Sequence, residues 1–472
     1  MDCSRLWLAG QWAETERTRE VRAPWDGRLV ARAAQASEAQ AAAALEFAFE
    51  ARPRLQAQST GARRAVLEGI VAGLTARAGE FEDLVCHQAG KPRSLARVEV
   101  RRATEVFRLA AAELSRFGGG VVPVDLDAAS AGLECEVRRF PAGVVVGIVP
   151  FNFPLNLGAH KVAPALAVGA PIIVKPPPQA PGPQLLLAEL ARDAGADPAA
   201  LQVLPCEDAV AERLATSPRV RVLSFTGSAR VGWMLKARAA GRVLLELGGN
   251  AAALVAADAD LPWAVERCAV GAFAYAGQVC IKVQRIYVER PAYDAFREAF
   301  LARSRQIHPG DPSDETTLLG PVIDDASAER ITAWVQEVVA RGARVLLGHE
   351  RKGRLLAPTV LADVPPDARV AREEVFGPVV ALWPVDSWEA GLAAVNEGDY
   401  GLQAGVFTRD LGKVRTAFHR LEVGGVIVND APLYRSDNAP YGGVKGSGLG
   451  REGLRSAMEE LTEERVLVTR VR

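Results

Sequence analysis

Val144-Val145-Val146-Gly147-Ile148-Val149-Pro150-Phe151-Asn152-Phe153-Pro154 decides how this chain is read. Five aliphatic residues around one glycine run into a turn stiffened by two prolines. The surrounding run 141–160 carries no formal charge and leads into another apolar stretch at 162–174, so length alone would admit a membrane span. Pro150, Pro154, Asn152, Asn156 and the recurring glycines are poor helix material. A buried strand, a turn and then a buried helix is the better reading.

Downstream the pattern repeats. Apolar strands at 171–174, 201–204, 221–225 and 243–247 alternate with helical stretches such as 183–194 and 209–215. Near-continuous apolar strands joined by helices predict a parallel sheet covered on both faces. Ligands on such sheets bind beyond the carboxyl ends of the strands. After Asn250 a second alternating unit follows, with strands near 286–289, 344–347, 379–383, 404–407 and 426–429 and helices such as 326–340 and 411–420.

Upstream, the first 140 residues read as helical scaffold. The helices are an alanine-rich stretch at 33–50, 62–78 with Val66, Leu67, Ile70, Val71 and Leu74 on one face, and 92–117. Arg101, Arg102 and Arg108 on the last of these read as a solvated face, with contact to a substrate carboxylate as the alternative. Segments 121–124 and 134–140 suit a hairpin, which is not stable alone and would rest on a partner subunit. The stretch 464–468 is a short strand without a sequence neighbour. Its expected partner is that hairpin, within the chain or across subunits.

Length and composition bound the rest. A chain of 472 residues calls for two or three domains. With 56 basic against 57 acidic residues, neither a nucleic acid nor a membrane is an expected partner. Residues 1–5 are not followed by a signal-type apolar run. Six cysteines without a CxxC pair and five scattered histidines speak against disulfide and metal frameworks. No metal, and a reducing, cytoplasmic setting, are therefore expected.

The chemistry-bearing residues fall where the sheet rule wants them. Cys280 closes Ala276-Gly277-Gln278-Val279-Cys280, a Gly-Gln turn after an apolar helix at 265–275; alone it reads as a small buried residue. Asn152 offers a fixed amide in the proline-bounded turn, or only local hydrogen bonding. Lys175 ends a strand before three prolines, within reach of ribose hydroxyls or phosphate, although exposed lysines are commonplace. Residues 225–232 are a strand end, a glycine turn and a helix start, which presents free N–H groups to an anion. Glu246, between apolar neighbours and Gly248-Gly249, should be desolvated toward a general base's useful range; a structural cap on the turn is the alternative. Glu373-Glu374-Val375-Phe376-Gly377-Pro378 joins an acidic pair to an aromatic in a turn able to reach across a cleft.

PFNFP (150–154), FTGS (225–228), ELGGN (246–250), GQVC (277–280), EEVFGPV (373–379) and PYGGVKGSGLGREG (440–453) occur in an order that resembles the aldehyde dehydrogenase superfamily, over essentially the whole chain. LSFTGSARVGW (223–233), GAFAYAGQVC (271–280), NEGDYGLQAGVF (396–407) and the loop 429–440 look most like its lactaldehyde and non-phosphorylating glyceraldehyde-3-phosphate branch.

The resemblance implies an α/β architecture: a Rossmann-type NAD(P)-binding domain (1–120 and 141–247), an α/β catalytic domain (248–430) and a small β oligomerisation arm (121–140 and 456–472). It implies a homodimer or homotetramer, NAD or NADP as cofactor, and a small polar or anionic aldehyde as substrate. Cys280 would attack the aldehyde carbon as thiolate. The Asn152 amide and the Cys280 N–H would hold the oxyanion. Hydride would pass to the nicotinamide, and Glu246 would activate water on the resulting thioester. Lys175 would hold the adenosine ribose, and Glu374 and Phe376 would sit at the nicotinamide ribose. Pro150, Phe151, Phe225, Gly227, Ser228, Val231 and Leu247 would line the dinucleotide site. Phe153, Val279 and Arg435 are the substrate-side residues. A CoA-acylating relative usually lacks the glutamate, and a non-catalytic crystallin-like relative would lose the chemistry. Both stand behind the hydrolytic reading.

Three positions depart from the broader pattern. Pro178 stands where many NAD-preferring relatives carry Glu, which removes repulsion toward a 2′-phosphate and makes NADP admissible. Pro205-Cys206-Glu207 replaces a Pro-Gly-x-Gly turn. Val279 replaces the Arg of the glyceraldehyde-3-phosphate branch, which speaks against a phosphorylated substrate.

Overall fold

Val144–Ile148 is buried along its whole length and lies between Ile172–Lys175 and Val220–Thr226, both parallel to it. This is the centre of the computed structural model, which describes residues 3–470. Residues 1–2 and 471–472, the outer ends of the expected cofactor domain and arm, lie outside the described residues. The first sheet runs Gln11–Ala13, Leu6–Leu8, Leu201–Val203, Ile172–Lys175, Val144–Ile148, Val220–Thr226, Arg242–Glu246, Gly448–Leu449. It is parallel from Leu201–Val203 to Arg242–Glu246 and antiparallel at both edges.

The helix Asn156–Val168, buried at every position, covers one face together with Arg93–Glu113 and Leu454–Glu460. Glu38–Gln56 and Asp208–Ala215 cover the other. Both faces are thus apolar, which is why these strands lack polar alternation.

A second sheet runs Arg344–Leu347, Thr359–Ala362, Val379–Val385, Arg285–Glu289, Ala252–Val255, Gln403–Phe407, Gly425–Val428, parallel except at Arg344–Leu347. A third, antiparallel, joins Thr462–Arg470, Leu133–Pro141 and Gly119–Val122. The C-terminal strand therefore meets the hairpin within one chain, from Thr462 opposite Pro141 to Arg470 opposite Leu133. Of the two expected pairings, the within-chain one is observed. Among the described residues, no helix is long and apolar enough to cross a membrane.

Several boundaries differ from the sequence reading. The expected helix at 33–50 starts at Glu38, because Ser37 and Gln40 form a reciprocal capping box. Leu29–Gln35 is instead a strand paired with Arg17–Arg22, whose polar composition hid it. Leu6–Leu8 and Gln11–Ala13 add strands to a region read as helical. Residues 456–461, expected in the arm, lie in or just after the Leu454–Glu460 helix, with Met458 and Leu461 inside the first core.

Candidate active site

The parallel register sets the carboxyl ends of the first sheet side by side: Ile148 faces Lys175, Phe225 faces Ile148 and Thr226 faces Glu246. Asn152, Lys175, Gly227, Ser228 and Glu246 consequently leave the sheet at one edge. Two strands separate Lys175 from Glu246, roughly 14 Å at ordinary strand spacing. That distance suits an extended ligand lying along the edge.

Cys280 arrives from the second unit. The helix Leu261–Phe273 ends two residues before the expected 275, and the chain turns through left-handed Tyr275 (φ 53°), Ala276 (φ 54°) and Gly277 (φ 65°). A bulky residue in that region is strained and persists only where its surroundings hold it. Here they do: the Tyr275 hydroxyl donates to Ala89 O at 3.0 Å, and its N–H donates to Leu318 O at 2.9 Å. At Gly277 a Cβ would stand 2.3 Å from Gly377 O, so the turn admits no side chain. Gln278 rivets the loop by accepting the Ile323 N–H at 2.8 Å and donating to Tyr275 O and Pro321 O. Asn152 Nδ2 donates to Gln278 O at 3.0 Å, which ties the proline turn to the cysteine loop.

Lys91 supports the same junction from below. Buried and ion-paired with Glu99, it lies 3.4 Å from the Phe153 ring centroid and 4.7 Å from that of Tyr275. Glu99 also accepts the Leu155 and Asn156 N–H groups. Val279 packs in an apolar cluster with Tyr275, Ile281, Leu402 and Tyr441, which Phe153 and Cys280 adjoin.

Cys280 is partly open, whereas the other five cysteines are buried. Its sulfur lies 3.4 Å from the Tyr441 hydroxyl. The low-dielectric surroundings push the thiol up to about 12, Glu374 and Glu246 adding to the push while Tyr441 and Arg435 oppose it. Glu246 is buried and its Oε2 has no hydrogen-bond partner among the described residues. Burial and then Glu452 raise its carboxyl well above the ordinary value, against Arg435, Lys161 and Arg451.

A charged network unread in the sequence lies behind these groups. Lys161 Nζ donates to Glu452 at 3.1 Å, to Ser224 at 3.0 Å and to Thr226 at 2.7 Å. Arg435 Nη2 donates to Glu452 at 2.9 Å, and its guanidinium lies 3.7 Å from the Tyr441 ring centroid. The Arg435 side chain is thus buried against Tyr441, the neighbour of Cys280. Lys161 was legible in principle, as a charge inside an otherwise apolar helix. Of the three arginines read as a solvated face, Arg101 and Arg108 are exposed, and Arg102 grips Asp437 with bonds of 3.0 and 2.6 Å.

Phe151 of the first unit and Phe376 of the second meet edge to face at 5.9 Å. Glu374 accepts the Gly249 N–H at 3.1 Å, and burial pushes its carboxyl up to about 7. At Gly248 and Gly249 a Cβ would stand 2.2 Å from the Glu374 carboxylate and 2.4 Å from Cys280 O, so the glycine pair lets both loops close in. Ser228 precedes the helix Ala229–Arg238 without a side-chain cap, while the Gly227 N–H donates to Glu246 O at 3.0 Å; among the described residues the N–H groups of the first helical turn are left uncapped. Phe225 and Leu247 lie in the core beneath, with Val231 packed against it. Among the described residues the Lys175 ammonium pairs, at 3.2 Å, with one exposed carboxylate, Asp208.

The aldehyde dehydrogenase family model matches residues 12–467. The 3-sulfolactaldehyde dehydrogenase of Priestia aryabhattai is 44% identical over 397 residues, 84% of this chain and 83% of that one. Aldehyde dehydrogenase 21 from Physcomitrella patens, solved with the reaction product succinate, superposes with a TM-score of 0.96 at 40% identity, covering 99% and 98% of the two chains. The NADP-dependent glyceraldehyde-3-phosphate dehydrogenase of Bacillus halodurans C-125, solved with NADP, gives 0.96 at 32% identity and covers 99% of each. On the fold, the site and these likenesses together, the chain belongs to the aldehyde dehydrogenase family.

Proposed function

We propose that the protein oxidises a small anionic aldehyde to its carboxylic acid with NAD or NADP, with Cys280 as nucleophile, Asn152 as oxyanion donor and Glu246 as general base. The observation that carries this reading is the Asn152 amide bonded to Gln278, two residues before Cys280, with the buried Glu246 carboxyl within electrostatic reach of the Cys280 sulfur. The bound dinucleotide would supply the hydride acceptor, held by Lys175, Ser228, Glu374 and Phe376 with Pro150, Phe151, Phe225, Gly227, Val231 and Leu247 around it.

Cys280 rests as a thiol, so attack requires a proton acceptor, and Glu246 lies within electrostatic reach. Asn152 spends one N–H on Gln278 O and keeps the other for the developing oxyanion. Among the described residues the Cys280 N–H donates to nothing and can join it. Glu246 then takes a proton from the water that attacks the thioester. A glutamate at this point favours hydrolysis over transfer to a CoA thiol, and the complete set of groups argues against a non-catalytic relative.

Arg435 supports the anionic substrate. It is buried, next to the nucleophile's partner Tyr441, and its Nε is unpaired. The relatives named for 3-sulfolactaldehyde and solved with succinate handle acidic molecules. Reduced-cofactor absorbance with succinic semialdehyde, 3-sulfolactaldehyde and butanal, each with NAD and NADP, tests the reading. The acidic aldehydes should exceed butanal by about 100-fold in kcat/KM, and Arg435→Met should erase the difference. Equal turnover of butanal by the unaltered enzyme would sink the anionic reading and leave the oxidation itself intact.

The proposal includes a homodimer or homotetramer in a reducing cytoplasm. The arm supports self-association: Val121 and Leu467 are exposed at 80% and 59%, and it offers strand edges to a second copy. Light scattering on Leu467→Asp should show loss of the assembly.

A further inference from the structure

Two residues past the nucleophile stands Lys282, a buried lysine outside the proposed chemistry. Its N–H donates to Val279 O at 3.0 Å, closing a tight turn over Cys280 and Ile281. Its stem packs against Gly277, where a Cβ would stand 3.0 Å from Lys282 Cδ. Its ammonium crosses to a second loop and donates to Val379 O. Gln284, also buried, reaches the same loop: it accepts the Val375 N–H at 2.9 Å and donates to Glu373 O at 2.7 Å. One side chain thus holds the backbone on both sides of Glu374.

The turn gripped in this way is strained. Phe376 is left-handed at φ 49°, where a bulky residue persists only if its surroundings impose it. Gln284 does so with neutral hydrogen bonds, and a neutral side chain would also grip Val379 O at less desolvation cost than an ammonium. What Lys282 adds is its charge. Burial lowers its pKa to about 7, and the carboxylate that opposes this fall is Glu374. Against the upward push of burial on Glu374 stand the Gly249 N–H, then Arg330 on the helix Asp325–Ala340, then Lys282. Two further titratable groups face Glu374, the Cys280 thiol and the Tyr400 phenol, and burial keeps both neutral near pH 7.

We propose that Lys282 is a positioning residue for the cofactor, which locks the turn 373–379 to the Cys280 loop and supplies the counter-charge for the Glu374 carboxylate. An ionised carboxylate accepts from two neighbouring ribose hydroxyls at once, and a protonated one gives up part of that capacity. Lys282 therefore extends toward acid the pH range over which Glu374 holds a ribose. This rests on the reading of Glu374 as a ligand of the nicotinamide ribose.

The test is the Kd of NAD and of NADP, measured by titration calorimetry without aldehyde across pH, in the unaltered protein, Lys282→Met, Glu374→Gln and the double variant. At about pH 9, where the lysine is neutral, Lys282→Met should bind within about twofold of the unaltered protein. At about pH 6.5 it should bind about tenfold more weakly, and in the Glu374→Gln background it should add no loss. A loss equal at every pH would leave Lys282 a structural strut and overturn the proposal, as would no loss at all. Because Lys282→Met risks misfolding, the ratio of Kd values for Glu374→Gln and the unaltered protein, in which titration of the cofactor cancels, gives a second reading. It should be steady above about pH 7 and shrink below it. A ratio already shrinking well above pH 7 would show a carboxyl without its counter-charge, and a ratio above one that is constant with pH would show a carboxyl that does not titrate. Either result overturns the proposal and leaves Glu374 as a ribose ligand, whereas equal Kd values at every pH overturn both.

Discussion

The Tyr441 hydroxyl lies 3.4 Å from the Cys280 sulfur, and the guanidinium of Arg435 lies over the same tyrosine ring. The Cys280 sulfur thus faces a phenol that burial keeps protonated. This contact opposes the upward push of burial on the thiol. Tyr441→Phe should raise the thiol pKa further and slow iodoacetamide alkylation at fixed pH about tenfold, the worth of one hydrogen bond. Alkylation at an unchanged rate would remove Tyr441 from that role.

Glu246→Gln separates the two halves of the reaction. Turnover should fall about 100-fold or more, with a burst of reduced cofactor that marks slow thioester hydrolysis. In the unaltered enzyme kcat should rise with pH above the ordinary glutamate range, because the carboxyl must lose its proton to act and its pKa is raised. A variant that keeps the same acid limb would assign that limb to another group.

Glu452 makes an acid-stability prediction. Against the upward push of burial, Lys161 and then Arg435 bring its carboxyl down to about 2 from 4.5. Between those values the folded protein binds fewer protons than the unfolded chain, so this contribution is full above 4.5 and lost as pH falls toward 2. Glu452→Gln should flatten that stretch of a urea-midpoint-against-pH curve. At neutral pH it should cost about 3–5 kcal/mol, since two buried cations lose their anion. A curve of unchanged slope would place the acid sensitivity elsewhere.

Pro178, half-buried just beyond Lys175, bears on cofactor choice. Pro178→Glu should shift the NAD-to-NADP ratio of kcat/KM toward NAD by about tenfold or more, through repulsion of a 2′-phosphate. An unmoved ratio would assign discrimination to other residues, the Pro205-Cys206-Glu207 turn among them.

The alternating architecture was legible because strands buried on both faces, such as Val144–Ile148, leave an unbroken apolar run. Arg17–Arg22 was not, since its stability comes from pairing with Leu29–Gln35 rather than from an apolar face of its own. Among the site residues, Cys280, Glu246 and Asn152 announce themselves by sitting in glycine or proline turns at strand or helix ends. Glu452, Tyr441, His160 and Asp437 do not. They meet their partners across long separations, 161 positions for Tyr441 with Cys280, 277 for His160 with Asp437 and 291 for Lys161 with Glu452. No local pattern encodes which charges such a fold brings together.

The strand Gly448–Leu449, the helix Leu454–Glu460 and the strand Thr462–Arg470 complete structures whose other parts precede residue 250. This orders events on the ribosome. The second sheet takes every strand from between 252 and 428 and can close while the chain is still emerging. The first sheet is completed only when Gly448–Leu449 has been made, after Tyr441 and shortly before Glu452. A nascent chain that has passed Val428 but not Tyr441 therefore holds Cys280 without the phenol that opposes the push of burial on its thiol.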